Sequence, residues 1–282
     1  MSPAAEGLVL VDKPKRMTSH DVVDAVRRHL GTRKVGHAGT LDPMATGLLV
    51  LGAGRATRLL RYLGDLPKSY VGTARLGVET DTLDADGTVV RSAPVTATRE
   101  EVAAAAAALL GGSMQTPPAY SAVKVGGRKL YQAARRGEEL EASARPVRVD
   151  AFDVTGFDVS TFAFAVTCSG GTYVRVLVAD VGRALGCGAH LTALRRTAIG
   201  PFGVEEGRAP ETARPMPIER AVAHMPRLAL EAEEAEAASH GRALGPAGIE
   251  GPYAVFDPDG RLIGVYRDEG SMARPEVILA VA

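Results

Sequence analysis

The sequence contains no tryptophan and only two cysteines, Cys168 and Cys187, among its 282 residues. So few cysteines argue against a disulfide scaffold or a zinc site, and we expect both to be buried and free. No apolar run approaches the roughly 20 residues that a membrane-spanning helix needs, and no basic-then-apolar signal segment begins the chain. These absences predict a globular cytoplasmic protein without a membrane contact.

The formal net charge is zero, because 33 Lys and Arg residues balance 33 Asp and Glu residues. The balance is uneven along the chain: residues 1–200 carry 25 basic and 19 acidic residues, and residues 201–282 carry 8 and 14. A basic body fits a nucleic-acid partner, and an acidic tail argues against a large phosphate-binding surface there. Length and composition predict a large domain at 1–200, a Pro-rich linker at 201–226 and a small domain at 227–282.

Nucleotide-binding and metal-binding motifs are also missing. The Gly-rich segment 52–57 fits neither of the common phosphate-binding loops. Asp81, Asp84 and Asp86 lie close together, but the segment lacks the full ligand run and the final glutamate of an EF-hand. A turn is the favoured interpretation, and a metal hydrolase built on these aspartates is a distant alternative. We expect no cofactor and no metal.

What the sequence does contain is an unusual stretch, residues 36–49, with three glycines, one histidine, one aspartate and one proline. Pro43 disfavours a helical conformation at Asp42, and glycines permit tight backbone turns. The segment should form a stiff loop that presents the Asp42 carboxylate beside a buried strand, with His37 nearby. Taken alone, an Asp-Pro pair in such a loop is more typical of a plain turn.

Hydrophobic periodicity and capping residues predict an α+β chain around this loop. The expected helices span residues 19–30, 56–63, 99–110, 176–185 and 231–239. The expected strands span residues 7–12, 69–76, 145–154, 162–168 and 277–279, with a further hairpin at 255–263.

Arg175 lies just before the predicted helix at 176–185. The positive end of the helix dipole disfavours a cation at this position. Arg175 therefore needs an acidic partner, which the local sequence does not supply.

Several blocks of the chain, in order over residues 7–200, resemble the TruB family of pseudouridine synthases. Residues 36–43 match the family's G-H-x-G-T-L-D-P stretch at every specified position, and residues 115–124 match Q-x-P-P-x-Y-S-A-x-K. Residues 12–19 match D-K-P-x-G-x-T-S except that Arg16 replaces the glycine. If that glycine adopts a positive φ, Arg16 must be strained or the turn must differ.

The resemblance implies a pseudouridine synthase fold, with a mixed, mainly antiparallel central sheet flanked by helices and a small PUA-like β-barrel at the C-terminus. It also implies an enzyme that isomerises uridine to pseudouridine at position 55 in the T-arm of tRNA. The target base would be flipped out of the RNA into a pocket.

The resemblance assigns roles to individual residues. Asp42 would be the catalytic residue, and Arg175 would pair with it, orient it and lower its pKa. The substrate-binding residues would be His37, Tyr70, Tyr173 and Leu194, with Tyr70 stacking on the base, Tyr173 and Leu194 forming the pocket walls and His37 holding the opened RNA loop. Separately, Lys124, Arg128 and Lys129 either contact RNA phosphates or form a solvated hairpin tip.

We expect a monomer that needs no obligate protein partner. Two alternatives remain open at this point. One is a tRNA-binding chaperone that folds tRNA without essential chemistry. The other is a guide-RNA-dependent pseudouridine synthase that shares the catalytic core.

Overall fold

A computed structural model describes residues 5–138 and 140–279. The expected α+β fold with a mixed, mainly antiparallel central sheet is confirmed. No helix in these two ranges is long and apolar enough to cross a membrane. The helices are α1 (Ser19–Leu30), α2 (Leu60–Gly64), α3 (Arg99–Ala107), α4 (Leu130–Ala134), α5 (Val174–Ala184) and α6 (Ala232–Ser239). The strands are β1 (Gly7–Lys13), β2 (Val35–His37), β3 (Thr46–Ala53), β4 (Lys68–Leu76), β5 (Val78–Thr80), β6 (Val89–Ser92), β7 (Gly111–Gln115), β8 (Lys124–Val125), β9 (Arg128–Lys129), β10 (Arg145–Asp158), β11 (Thr161–Cys168), β12 (Ala189–Ile199), β13 (Phe202–Gly203), β14 (Arg227–Ala229), β15 (Pro252–Phe256), β16 (Leu262–Glu269) and β17 (Met272–Ile278).

The helix boundaries that depend on capping residues agree with the sequence. Thr18 caps α1 through its side chain, and Gly31 ends the helix with a φ of 64°. Thr98 caps α3 in the same way. However, α3 ends at Ala107, and residues 111–115 form the edge strand β7, which pairs with β10.

The central sheet has the strand order β1-β3-β12-β4-β11-β10-β7, with β2 also paired to β3 and β13 to β12. The β3–β12 pair is parallel, and the other pairs along this order are antiparallel. The parallel pair joins Thr46 to Arg195 and Gly47 to Arg196. A Cβ atom on Gly47 would lie 2.2 Å from the Arg196 carbonyl oxygen, so only glycine permits this approach. The pairing holds the end of the loop that carries Asp42 against β12.

Both faces of the sheet are buried at β1 and β3, whereas β4, β10 and β11 have one buried face and one face that is exposed or partly exposed. Leu8 and Leu48 on one face belong to a different apolar cluster from Val9 and Leu49 on the other face. Helix α1 packs on the second of these clusters. Helices α3 and α5 pack with the apolar residues of β4, β10 and β11 in a third cluster. The strand β3 is thus covered on both faces, whereas β4 is covered on one.

Residues 227–279 form a separate four-stranded sheet of order β14-β15-β16-β17. Within these residues the sheet is open, so the expected small β-barrel is not seen: β14 pairs with β15 and β17 with β16, but β14 and β17 do not pair with each other. Phe256 and Val265 of this sheet share an apolar cluster with Leu8 and Leu48 of the body. The C-terminal sheet is therefore packed directly on the central sheet of the chain.

The proline-rich segment between the two sheets runs beside β1. The backbone N–H of Met216 donates to the Leu8 carbonyl at 2.7 Å, and that of Arg208 donates to the Leu10 carbonyl at 3.1 Å. The segment covers the outer edge of the central sheet, where unpaired backbone groups would otherwise be exposed.

Candidate active site

Asp42 lies in a loop that connects β2 to β3 and is held by side chains from outside it. The Ser19 hydroxyl accepts from the Leu41 N–H at 2.8 Å and donates to the Leu41 carbonyl at 3.1 Å. Ser19 is the first residue of α1, so the helix that Thr18 caps also fixes the backbone next to Asp42.

The buried amine of Lys13 joins this loop to the first sequence motif. Its Nζ donates to the carbonyl oxygens of Met17 at 2.6 Å and Pro14 at 3.0 Å, and lies 3.5 Å from that of Pro43. Burial lowers the pKa of Lys13 to about 8. The Arg16 N–H also donates to Pro43, at 2.8 Å, and Arg16 has a φ of 74°. The turn thus keeps a left-handed conformation that costs a non-glycine residue about 1–2 kcal/mol.

Arg196 supports the other side of the same loop. It is 1% exposed, and its guanidinium donates to the carbonyl oxygens of Leu48 at 2.7 Å, Gly39 at 3.2 Å and Thr40 at 3.4 Å. Carbonyl dipoles, rather than a carboxylate, satisfy this buried cation. Arg196 was not identified from the sequence, where only the nearby Leu194 was assigned a role.

The structure brings Asp42 and Arg175 together, although 133 residues separate them. The Nε of Arg175 lies 3.0 Å from one Asp42 carboxylate oxygen, and Nη2 donates to the other at 3.3 Å. The Arg175 side chain is 4% exposed and that of Asp42 is 33% exposed. One carboxylate is therefore held by a buried cation while remaining accessible.

A second carboxylate, Asp84, shares this arginine. Its Oδ2 lies 3.3 Å from the Arg175 Nη1, and its Oδ1 accepts from the Thr82 hydroxyl at 2.6 Å. Arg175 also donates to the carbonyl oxygens of Thr82 at 2.8 Å and Tyr120 at 3.0 Å. Asp84 was noted in the sequence as part of an acidic turn, without a role in the site.

Arg175 acts to lower the pKa of Asp42, as expected, but the net change in that pKa is upward. Burial raises the pKa of Asp42 above the ordinary 3.8 and outweighs the opposing effect of Arg175. The negative charge of Asp84 raises it further. Arg175 orients the Asp42 carboxylate but leaves it a stronger base than an exposed aspartate.

A cavity of about 220 Å³ opens beside Asp42. Tyr70, Tyr173 and Leu194 line it, as do Arg175 and two residues not identified from the sequence, Ser121 and Arg145. Burial raises the pKa of Tyr70, so its phenol stays neutral. Apolar and aromatic walls beside one carboxylate suit a flat, weakly polar ligand such as a nucleobase.

The backbone of Tyr173 is held by one side chain from β7. The Gln115 amide oxygen accepts from the Tyr173 N–H at 2.7 Å, and its nitrogen donates to the Tyr173 carbonyl at 3.2 Å. Gln115 opens the Q-T-P-P-A-Y-S-A-V-K stretch. That motif therefore positions a cavity wall through its first residue.

His37 lies outside the residues that line the cavity. Its Nδ1 accepts from the Gly39 N–H at 3.3 Å. Burial lowers its pKa below the ordinary 6.5, with help from the nearby Arg196 charge, so the ring is neutral at pH 7. A neutral ring can still donate one hydrogen bond from its other nitrogen.

The three expected RNA-backbone residues lie on the short β8–β9 hairpin, away from the cavity. Arg128 forms an ion pair with Glu138 at 2.6 Å, and the Lys129 Nζ lies 5.6 Å from the centre of the Tyr131 ring. Lys124 is exposed. Nothing in this geometry distinguishes an RNA contact from a solvated hairpin.

Within residues 5–138 and 140–279, no group of three or more His, Cys, Asp and Glu side chains is arranged to hold a metal ion. In the acidic turn, Asp81 accepts from the Thr88 N–H at 2.8 Å and Asp84 faces Arg175. The acidic turn therefore serves as local structure and as part of the Arg175 network.

Comparison with known proteins identifies the family. Residues 27–174, more than half of the chain, match the model of the TruB family pseudouridylate synthase N-terminal domain. The chain belongs to the TruB family. Two further models match later parts of the chain: tRNA pseudouridylate synthase B C-terminal domain over 175–211, and tRNA pseudouridine synthase II C-terminal over 225–280.

Curated relatives agree over their whole length. A protein named tRNA pseudouridine synthase B from Mycolicibacterium paratuberculosis is 48% identical and covers 100% of this TruB chain, which in turn covers 99% of that protein. A protein of the same name from Mycobacterium sp. strain KMS is 49% identical, and the match covers 98% of this chain and 97% of that protein.

Solved structures share the fold. A chain in the crystal structure of a Cbf5–Nop10–Gar1 complex superposes with a TM-score of 0.74 at 26% identity, over 96% of this chain and 84% of that one. A chain of the archaeal box H/ACA sRNP Nop10–Cbf5 complex superposes with a TM-score of 0.72 at 24% identity, over 99% of this chain and 86% of that one. The second likeness is evidence of fold alone.

Proposed function

We propose that this TruB-family protein isomerises uridine to pseudouridine at position 55 in the T-arm of tRNA, with Asp42 as the catalytic residue. The observation that carries the proposal is a single accessible carboxylate, paired with a buried arginine, in a cavity walled by two tyrosines and a leucine. The names of the relatives that match the full chain support tRNA as the substrate.

The reaction breaks the bond between N1 of uracil and C1′ of ribose and forms a bond from C5 to C1′. C5 then loses its proton and N1 gains one, so atoms and electrons balance without a redox partner. The base must first leave the RNA stack, which costs a few kcal/mol, and stacking in the cavity offsets that cost. We assign stacking to Tyr70, the walls to Tyr173 and Leu194, and support of the opened RNA loop to His37.

Asp42 must be ionised to act as a nucleophile or a base. Burial raises its pKa, and the Arg175 charge acts in the opposite direction and favours the ionised form. A carboxylate with a raised pKa is, once ionised, a stronger base than a solvated one. The ion pair with Arg175 orients it toward the cavity, where positioning alone can change a rate by orders of magnitude.

The decisive experiment is incubation of the purified protein with unmodified tRNA, with pseudouridine mapped by carbodiimide-blocked reverse transcription. We expect one new stop that reports position 55, absent with Asp42→Asn and retained with Asp24→Asn. Asp24 is a matched control because it is a surface aspartate that also forms an ion pair with an arginine, Arg27. No pseudouridine from the folded wild-type protein would overturn the proposal.

A guide-RNA-dependent synthase is the second candidate, because the structural likeness to the Cbf5 complex extends over 96% of the chain. We propose instead that the chain acts as a monomer without a guide RNA or a protein partner. The same reaction tests this, since it contains only protein and tRNA. Activity that appears only after a guide RNA is added would favour the second candidate.

A further inference from the structure

Arg145, at the start of β10, lines the same cavity as Asp42. Arg175, the other cation of the cavity wall, is shared by Asp42 and Asp84. Arg145 forms no ion pair with any carboxylate in the part of the chain that the structure describes. The cavity therefore contains one cation whose charge is left uncompensated there.

The guanidinium of Arg145 is held in place without being saturated. Its Nη2 donates to the Gly171 carbonyl at 2.6 Å, and its central carbon lies 4.9 Å from the centre of the Tyr173 ring. The Nε–H is buried and has no hydrogen-bond partner among the described residues. A buried donor without a partner carries a desolvation cost, which an arriving oxygen ligand would remove.

Ser121 supplies an independent sign of a polar ligand. Its side chain is in the wall of the same cavity and is 5% exposed. Its hydroxyl also has no hydrogen-bond partner among the residues described. Two unsatisfied polar groups in one cavity indicate that the natural occupant brings polar atoms with it.

We propose that Arg145 binds a phosphodiester group of the RNA strand next to the nucleotide that enters the Asp42 cavity. This inference rests on the proposed function, because a nucleotide flipped into the cavity brings its flanking phosphates to the rim. A planar, charged fork suits a phosphate, whereas the uncharged edge of uracil would leave the charge uncompensated. Because Arg145 stacks on Tyr173, phosphate binding would also position that wall of the cavity.

The first test measures binding of a T-arm stem–loop RNA against salt concentration, in an Asp42→Asn background so that the RNA is not converted. Arg145→Gln should weaken binding about tenfold and reduce the slope of log affinity against log salt by roughly 0.7. Arg148→Gln is the matched control, on the same strand, with a side chain 67% exposed and paired with Asp150 at 2.8 Å. Equal salt slopes in the two variants would overturn the proposal.

The second test separates phosphate binding from support of Tyr173. Each phosphodiester beside the target uridine is replaced in turn by a neutral methylphosphonate. Neutralising one linkage should weaken RNA binding to the Asp42→Asn parent protein. It should have no effect on RNA binding to the same protein with Arg145→Gln. If the two proteins respond equally at every linkage, Arg145 does not bind a phosphate.

A failure of this inference can be distinguished from a failure of the proposed function. Pseudouridine formation by the wild-type protein is measured in parallel on the unmodified stem–loop. If the wild-type protein is active and neutralising a linkage weakens binding equally in Arg145→Gln and in its parent, this inference alone is refuted. A linkage effect that disappears in Arg145→Gln, without wild-type activity, would refute the function and leave the phosphate contact in place.

Discussion

Two ion networks in this molecule have opposite composition. In the active site one guanidinium, Arg175, lies between the carboxylates of Asp42 and Asp84 at 3.0 and 3.3 Å. At the contact between body and C-terminal sheet one carboxylate, Glu276, lies between the guanidiniums of Arg61 and Arg267 at 2.7 and 2.6 Å. The first network has an excess negative charge and the second an excess positive charge.

Burial and the surrounding charges and hydrogen bonds together set the direction of each carboxylate's pKa. Burial raises the pKa of Asp42, and its surroundings do not reverse the change. Burial also acts to raise the pKa of Glu276, but hydrogen bonds from Tyr62, Arg267 and Arg61 lower it overall. The interface network thus stabilises the ionised carboxylate, whereas the Arg175 network leaves the Asp42 carboxylate less stabilised, which is what its proposed catalytic role requires.

The largest effect should come from changing Arg175, the central cation of the first network, to lysine. Arg175→Lys keeps the charge but loses the planar fork that contacts Asp42, Asp84 and two carbonyl groups, so we expect single-turnover pseudouridine formation to fall about 100-fold. Near-UV circular dichroism should show that the fold is retained.

Arg61→Lys is the control in the other network. The Arg61 side chain is 59% exposed, and Arg267 and Tyr62 still hold Glu276, so activity should remain near the wild-type level. Wild-type turnover in Arg175→Lys would remove Arg175 from the mechanism and with it the contrast between the networks.

Acid should act on the two networks in a fixed order. Because the folded pKa of Asp42 is above 3.8, activity is lost as the pH falls through that raised value. The folded pKa of Glu276 is below 4.5, so its contribution to stability is present above the ordinary pKa and is lost only below it. Between neutral pH and about pH 4, we expect activity to be lost reversibly while the tyrosine circular dichroism signal stays unchanged. Simultaneous loss of both signals would contradict this order.

Glu276→Gln should separate stability from activity. It removes the charge from hydrogen bonds to Tyr62, Arg61 and Arg267, and should lower the free energy of unfolding by about 2 kcal/mol. Pseudouridine formation should be unchanged below the melting temperature. As a control, Glu269→Gln removes an exposed pair with Arg274 at 3.4 Å and should cost less than about 0.5 kcal/mol by urea denaturation.

The smallest effect should come from Arg16, beside the catalytic loop. With a φ of 74°, Arg16→Gly should relieve backbone strain, partly offset by greater freedom of the unfolded chain, for a net gain of about 0.5 kcal/mol. Arg33→Gly, another exposed position in a short connection, should lower stability instead. A loss of stability in Arg16→Gly would show that the arginine side chain makes a contact that outweighs the strain.

Much of the local structure could be predicted because its causes lie within a few residues. Thr18 and Thr98 cap helices through bonds to residues three positions later, and Gly31 ends one by adopting a positive φ. The need of Arg175 for an acidic partner followed from its place at a helix start. The family motif pointed to Asp42 as that partner.

The rest of the site could not be predicted because it depends on contacts between distant segments. Asp84 is 91 residues from Arg175, and Arg196 is 157 residues from Gly39. Arg145 and Tyr173 stack because β10 and the start of α5 meet at one end of the sheet. Periodicity predicts which face of a strand is buried, but not which side chains from other strands lie opposite.

The sequence by itself determined the starts of the capped helices and, through its motifs, the family. Only the tertiary structure decided the direction of the Asp42 pKa, because that depends on how much water the surrounding chain excludes and on whether a second carboxylate is near. It also decided that the C-terminal strands form an open sheet packed on the body, since the residues that share that core come from both ends of the chain.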